Sequence, residues 1–181
     1  MKIVIDTCVL FPTVMREMVL GVAATGAFEP VWSARILEEW ARAAHKLGPT
    51  GPAQARGEIA LMSARWSNAE TAVPPGLEAR LWLPDPADVH VLALAVASPA
   101  DAIMTLNAKD FPRNILAEEG LLRVDPDTHL LHAFQANPDT IKAVGTTVLG
   151  EANRLSGQEW EMRALLKKAR LPRLAKALTA T

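Results

Sequence analysis

The chain has 181 residues, half of them hydrophobic, and a net charge of −1; this suits one domain, or one domain with an appendage, around a sizeable core. No apolar run is long enough to cross a bilayer, and the N-terminal one stops at Asp6, so neither a signal peptide nor a membrane helix is expected, and the cytoplasm is the expected compartment. The single cysteine excludes an internal disulfide and any zinc site built on several thiolates.

The first element is the β-branched run Ile3-Val4-Ile5, which has no polar residue to face water and reads as the central strand of a parallel sheet. Asp6 follows at once, at the strand end where open α/β sheets bind ligands. Val9 to Ala24 has apolar residues at helical spacing, and Glu29 to Trp32 reads as a short second strand. Ser33 is a good N-cap for a helix from Ala34 to Leu47, stopped by Gly48-Pro49. Its apolar stripe is Ile36, Leu37, Trp40, Ala44 and Leu47. Measured from that stripe, Glu39 lies roughly 110° away and Glu38 roughly 150°. Glu39 is thus expected at the edge of the buried face and Glu38 in solvent.

Ala53 to Trp66 reads as another helix, and Val73-Pro74-Pro75-Gly76 as a break. Asp85 and Pro86 open the next helix as N-cap and first residue. Asp88 suits the helix dipole, but Val91, Leu92 and Ala95 follow at i+3, i+4 and i+7, so it also crowns the apolar stripe. His90 falls off that face and reads as a surface or internally satisfied histidine. Ala102 to Leu106 is a further buried strand, followed by Asn107, Lys109 and Asp110. Leu121 to Val124 is the expected last strand.

The remainder reads as helical: Asp127 to Gln135, Pro138 to Leu149, a capping-box helix opened by Ser156-Gly157-Gln158-Glu159 and running toward Arg170, and a short element after Pro172. Residues 154–181 hold seven basic and two acidic side chains, a surplus of five that leaves −6 on residues 1–153. The acidic part suits cations and the tail an anionic partner. Alternating strands and helices predict a three-layer α/β/α fold with a parallel sheet, plus a helical C-terminal extension. The expected division is 1–132 and 133–181.

Asp6, Glu39, Asp88 and Asp110, with Asn107 beside them, stand at element ends that such a sheet gathers on one edge. Four acids together repel unless divalent cations sit among them, and all-oxygen ligands select Mg²⁺ or Mn²⁺. Such ions activate water and clamp phosphate in an in-line displacement, which is what phosphodiester hydrolysis requires.

The stretches IDTCVL (Ile5 to Leu10), ILEEW (Ile36 to Trp40), DPADVHVLALA (Asp85 to Ala95) and TLNAKDFP (Thr105 to Pro112), in that order, resemble the motifs of PIN-domain ribonucleases. The chain is similar in particular to VapC-type toxins of bacterial toxin–antitoxin pairs that carry a helical C-terminal extension. The resemblance implies a Mg²⁺- or Mn²⁺-dependent endoribonuclease acting on single-stranded RNA, with a cognate antitoxin and a homodimeric state as expected partnerships and no membrane association. It carries Asp6, Glu39 and Asp88 over as core acids. Asn107 stands where many members have Asp; it can still ligate a metal through its carbonyl, and Asp110 can supply the missing charge, so either residue completes the acidic site. Cys8 stands where many have asparagine and reads as a packed thiol. Expected RNA contacts are Thr7, Thr105, Lys109, Arg113, Lys167 and Lys168. A haloacid-dehalogenase phosphatase would need a second Asp at position 8, and a receiver domain an acidic pair near Asp6. The rivals are a PIN fold serving as an inactive RNA- or protein-binding module and a non-toxin RNA-processing nuclease.

Overall fold

The structure, a computed structural model, describes residues 1–180. In chain order the regular elements are β1 (Lys2–Ile5), α1 (Thr7–Leu10), α2 (Thr13–Ala23), β2 (Glu29–Val31), α3 (Ala34–Ala43), α4 (Gly51–Arg65), α5 (Val89–Ala97), β3 (Ala102–Met104), α6 (Arg113–Glu118), β4 (Leu122–Val124), α7 (Pro126–Ala136), α8 (Pro138–Ser156), α9 (Met162–Lys168) and α10 (Pro172–Leu178). Short 3-10 turns cover Ala44–Leu47, Glu78–Arg80 and Pro86–Asp88. The chain divides into two compact units, residues 1–11 with 29–123, and residues 12–28 with 124–180.

The first unit holds the sheet, in the order β2-β1-β3-β4. β1 is central as expected: Val4 pairs in parallel with Val31 of β2 and with Ile103 of β3, and Ile5 with Met104. Ile3, Val4, Ile5, Ile103 and Met104 are fully buried. Burying each such side chain is worth about 1.5–3 kcal/mol, so the sheet is anchored at β1. Pro30 is tolerated because β2 is an edge strand, where a missing N–H leaves no ladder bond unmade. α5 packs on β1 and β3, and α3 on α4. This is the α/β class with a parallel sheet, joined to a helical C-terminal part.

The second unit is all helical, with α2 against α8 and α10 against α7 and α9. Gly21 permits the close approach of α2 to α8, because a Cβ there would stand 2.7 Å from Val144 Cγ1. Ile141, Val148, Leu165 and Leu166 of the tail stripes are buried in this unit. The buried carboxylate of Asp127 on α7 accepts from the backbone N–H groups of Arg173 and Leu174, each at 2.9 Å, and so satisfies the start of α10 from a distant helix.

Several element boundaries differ from expectation: α8 runs to Ser156 instead of ending at Leu149, β3 ends at Met104, and α6 has no counterpart among the expected elements. The helix expected over Val9 to Ala24 is two helices, broken where Pro12 lacks an N–H and clashes with the preceding turn. The helix expected through Leu47 loosens into a 3-10 turn at Ala44. Ser156 does not cap a new helix. It ends α8, with Gly157 left-handed at φ 65°, and α9 starts only at Met162. The Ser156 hydroxyl instead accepts from Gln158 N at 3.3 Å, a local turn bond that wins because glycine favours the left-handed conformation that ends a helix.

Candidate metal centre

Because β1 and β3 are parallel neighbours, Asp6 at the end of one meets Thr105 at the end of the other. The Asp6 carboxylate is only 7% exposed. Its Oδ2 accepts from the Thr105 hydroxyl at 2.7 Å and from the Cys8 thiol at 3.0 Å. Thr105 Oγ1 in turn accepts from Asn107 N at 2.9 Å, which fixes the direction of its proton toward Asp6. Leu106 N donates to Cys8 Sγ at 3.2 Å. Burial, and then the Asp6 charge, push the Cys8 thiol up to about 12, so the sulfur is a protonated donor and not a nucleophile. Thr105, expected as an RNA contact, is buried and committed to orienting Asp6.

The turn Pro86–Asp88 brings Asp85 and Asp88 to one side. Asp85 caps it as expected, accepting from Ala87 N at 2.9 Å. One carboxylate oxygen from each of Asp85, Asp88 and Asp110 lies within 4.8 Å of the others. Asp88 bears the consequence: burial first, then the charges of Asp6, Asp85 and Asp110, raise its pKa from 3.8 to about 6. Asn107 Nδ2 donates to Asp110 Oδ2 at 2.6 Å and stands 3.5 Å from Asp88 Oδ2. The amide nitrogen, and not the carbonyl expected as a ligand, faces the acids; a partial positive charge sits where carboxylates crowd. Arg123 holds this loop from behind by donating to the carbonyls of Ala108 (2.6 Å) and Phe111 (2.9 Å).

Glu39 keeps separate company. Its Oε2 accepts from the Thr7 hydroxyl at 3.0 Å, and its Oε1 lies 2.8 Å from His90 Nε2 and 3.7 Å from Arg35 Nε. The His90 contact has ion-pair distance, but the ring N–H is not directed at the oxygen as a hydrogen bond. Burial raises the Glu39 pKa, yet His90, Thr7 and Arg35 together outweigh it and the net shift is downward. Glu38 turns instead to Arg56 (2.9 Å) and Arg42 (3.2 Å). The two side chains are equally accessible, 36% and 35%, so their partners and not their exposure separate them. His90 is the clearest miss of the sequence reading. It is 2% exposed, and only the approach of α3 toward the start of α5 gives it a neighbour.

Of the other expected RNA contacts, Thr7 is occupied by Glu39, Lys109 is exposed with its Nζ 3.9 Å from Asp110, and Arg113 is exposed at the start of α6. Lys167 and Lys168 are exposed on α9 in the second unit, with Lys168 Nζ 4.7 Å from the centre of the Trp160 ring. No helix among the described residues is long and apolar enough to cross a membrane.

A family profile described as PIN domain matches residues 2–109, more than half of the chain. The chain belongs to the PIN-domain family. PIN domains are in general metal-dependent nucleases that bind nucleic acid. No curated protein and no solved structure gave a match. The carboxylate group of this PIN domain suits a hard divalent cation: its donors are all oxygen, and the crowding that lifts Asp88 is what a cation would relieve.

Proposed function

We propose that the protein is a metal-dependent endoribonuclease that cleaves single-stranded RNA, with Mg²⁺ or Mn²⁺ as its ion. The observation that carries this reading is the gathering of Asp85, Asp88 and Asp110, one carboxylate oxygen of each within 4.8 Å of the others; burial first, and then the charges of Asp6, Asp85 and Asp110, raise the Asp88 pKa to about 6. Asp6, Glu39, Asp88 and Asp110 would hold the ion, with Asp85 in reach and Asn107 flanking. The cation would supply charge to the scissile phosphate and acidify a bound water. The chain's own share is orientation. Thr105 and Cys8 occupy Asp6 Oδ2 and leave its other oxygen free of them, while Arg123 braces the Asp110 loop.

In this reading residues 1–132 form the nuclease part and 133–181 an accessory extension, and the protein acts in the cytoplasm as the toxin of a toxin–antitoxin pair, as a homodimer. The resemblance of its four motifs to VapC-type toxins supports that role. The test is cleavage of single-stranded RNA by the purified chain with Mg²⁺ or Mn²⁺. EDTA is expected to abolish it, and Asp6→Asn to lower it by orders of magnitude with the fold intact. Cleavage insensitive to EDTA, or wild-type rates in Asp6→Asn, would overturn the assignment. The toxin role predicts growth arrest on expression, relieved by co-expressing a small adjacent-gene protein.

A further inference from the structure

We infer that His90 is the positioning residue for Glu39, fixing that carboxylate for the divalent cation; the inference rests on the metal-dependent reading above. His90 is 2% exposed on α5, between Val89 and Val91, which are themselves buried. A leucine would fill such a place without desolvating two ring nitrogens, so packing alone does not call for an imidazole. Neither nitrogen has a directed hydrogen bond among the described residues, and Nε2 stands 2.8 Å from Glu39 Oε1.

Glu39 is thereby contacted at both oxygens, by the Thr7 hydroxyl as a hydrogen bond on Oε2 and by His90 at 2.8 Å, without a directed hydrogen bond, on Oε1. A carboxylate has about four acceptor sites, so one contact on each oxygen leaves room for a metal bond. Arg35 is a poorer anchor. It is half exposed, stands farther off at 3.7 Å and also pairs with Glu78 at 3.3 Å. His90 is the rigid contact. Removing an outer partner that orients a metal-binding side chain costs roughly 10–100-fold in metal affinity.

The experiment measures the Mn²⁺ dissociation constant of the full chain by titration calorimetry for wild type, His90→Leu, His90→Gln, Glu39→Gln and the double variant His90→Leu/Glu39→Gln. His90→Leu is expected to weaken Mn²⁺ binding about 10–100-fold. His90→Gln, which keeps an N–H at similar reach, is expected to restore most of the loss. In the Glu39→Gln background His90→Leu should cost nothing further, because its effect passes through Glu39. Losses that multiply in the double variant, or equal losses in His90→Leu and His90→Gln, would overturn the inference. If Glu39→Gln leaves no measurable binding, the comparison of Leu with Gln decides alone. If His90→Leu does not fold, His90→Asn, too short to reach Glu39, takes its place. A wild-type chain that binds Mn²⁺ with this coupling but cuts no RNA would instead overturn the nuclease reading; one that binds no Mn²⁺ overturns both.

Discussion

Replacing Asp88 by Asn should stabilise the metal-free protein while destroying its metal site. Asp88 ionises at 3.8 ordinarily and at about 6 in the fold. Between those values the folded state holds a proton that the unfolded state has released, so unfolding free energy falls as pH rises through the window and stays low above it. A shift of about two units corresponds to ~3 kcal/mol at most, and partial exposure cuts this to ~1 kcal/mol. Asparagine would also forfeit the favourable placement of a carboxylate at the start of α5, worth about 0.3–1 kcal/mol. The 3.5 Å contact from Asn107 is too long to matter. The balance favours the variant by at most ~0.7 kcal/mol, or up to about 3 °C in melting temperature for a chain of this size. The assay is thermal unfolding of wild type and Asp88→Asn in EDTA at pH 4 and pH 8. The variant should be the more stable at pH 8, with the advantage gone at pH 4, where Asp88 is protonated in the fold. Adding Mn²⁺ at about 100 times its dissociation constant should reverse the order, since binding then adds about 2.7 kcal/mol to wild type alone. A variant less stable than wild type at pH 8 in EDTA would refute the account of Asp88 as a crowded acid.

Glu39→Gln should impair cleavage severely and Glu38→Gln hardly at all, because Glu38 contacts only arginines at the surface; matched kinetics on one RNA would check it, and the reverse order would reassign the role. Asp110→Asn should weaken Mn²⁺ binding and rate together, whereas Asn107→Asp should lower the metal-free melting temperature, by placing two carboxylates in contact, yet raise Mn²⁺ affinity. Cys8, with its thiol pushed up to about 12, should react with a disulfide reagent at pH 8 only after unfolding; rapid labelling of the native protein would count against its placement. Deleting residues 138–181 removes the helices that cover the buried face of α2, so the truncated chain should bind a hydrophobic dye and melt lower than the full chain, and an unchanged melting temperature would show that α2 does not depend on them.

The sequence by itself determined what depends on neighbours along the chain. The β-branched run Ile3-Val4-Ile5 could only be buried on both faces, and it is the central strand. The Ser33 cap and the Asp85-Pro86 start are local bonds, and both form where expected. Helical geometry sets Glu39 and Glu38 about 100° apart, but the expected difference in exposure does not appear, and their tertiary partners separate them. The tertiary structure decided whatever depends on residues far apart in sequence. No periodicity could show that Thr105 aims its hydroxyl at Asp6, 99 positions away, because only the parallel pairing of β1 with β3 brings those strand ends together. Asn107 presents its nitrogen to Asp110 because the carboxylates crowding there accept a donor and repel a carbonyl. Asp127, read as the start of its own helix, serves another helix, since an unpaired N-terminus takes whichever acceptor the packing delivers. His90 looked like a bystander for the same reason: its distance from the apolar stripe of α5 says where it does not point, and only the packed fold puts Glu39 beside it.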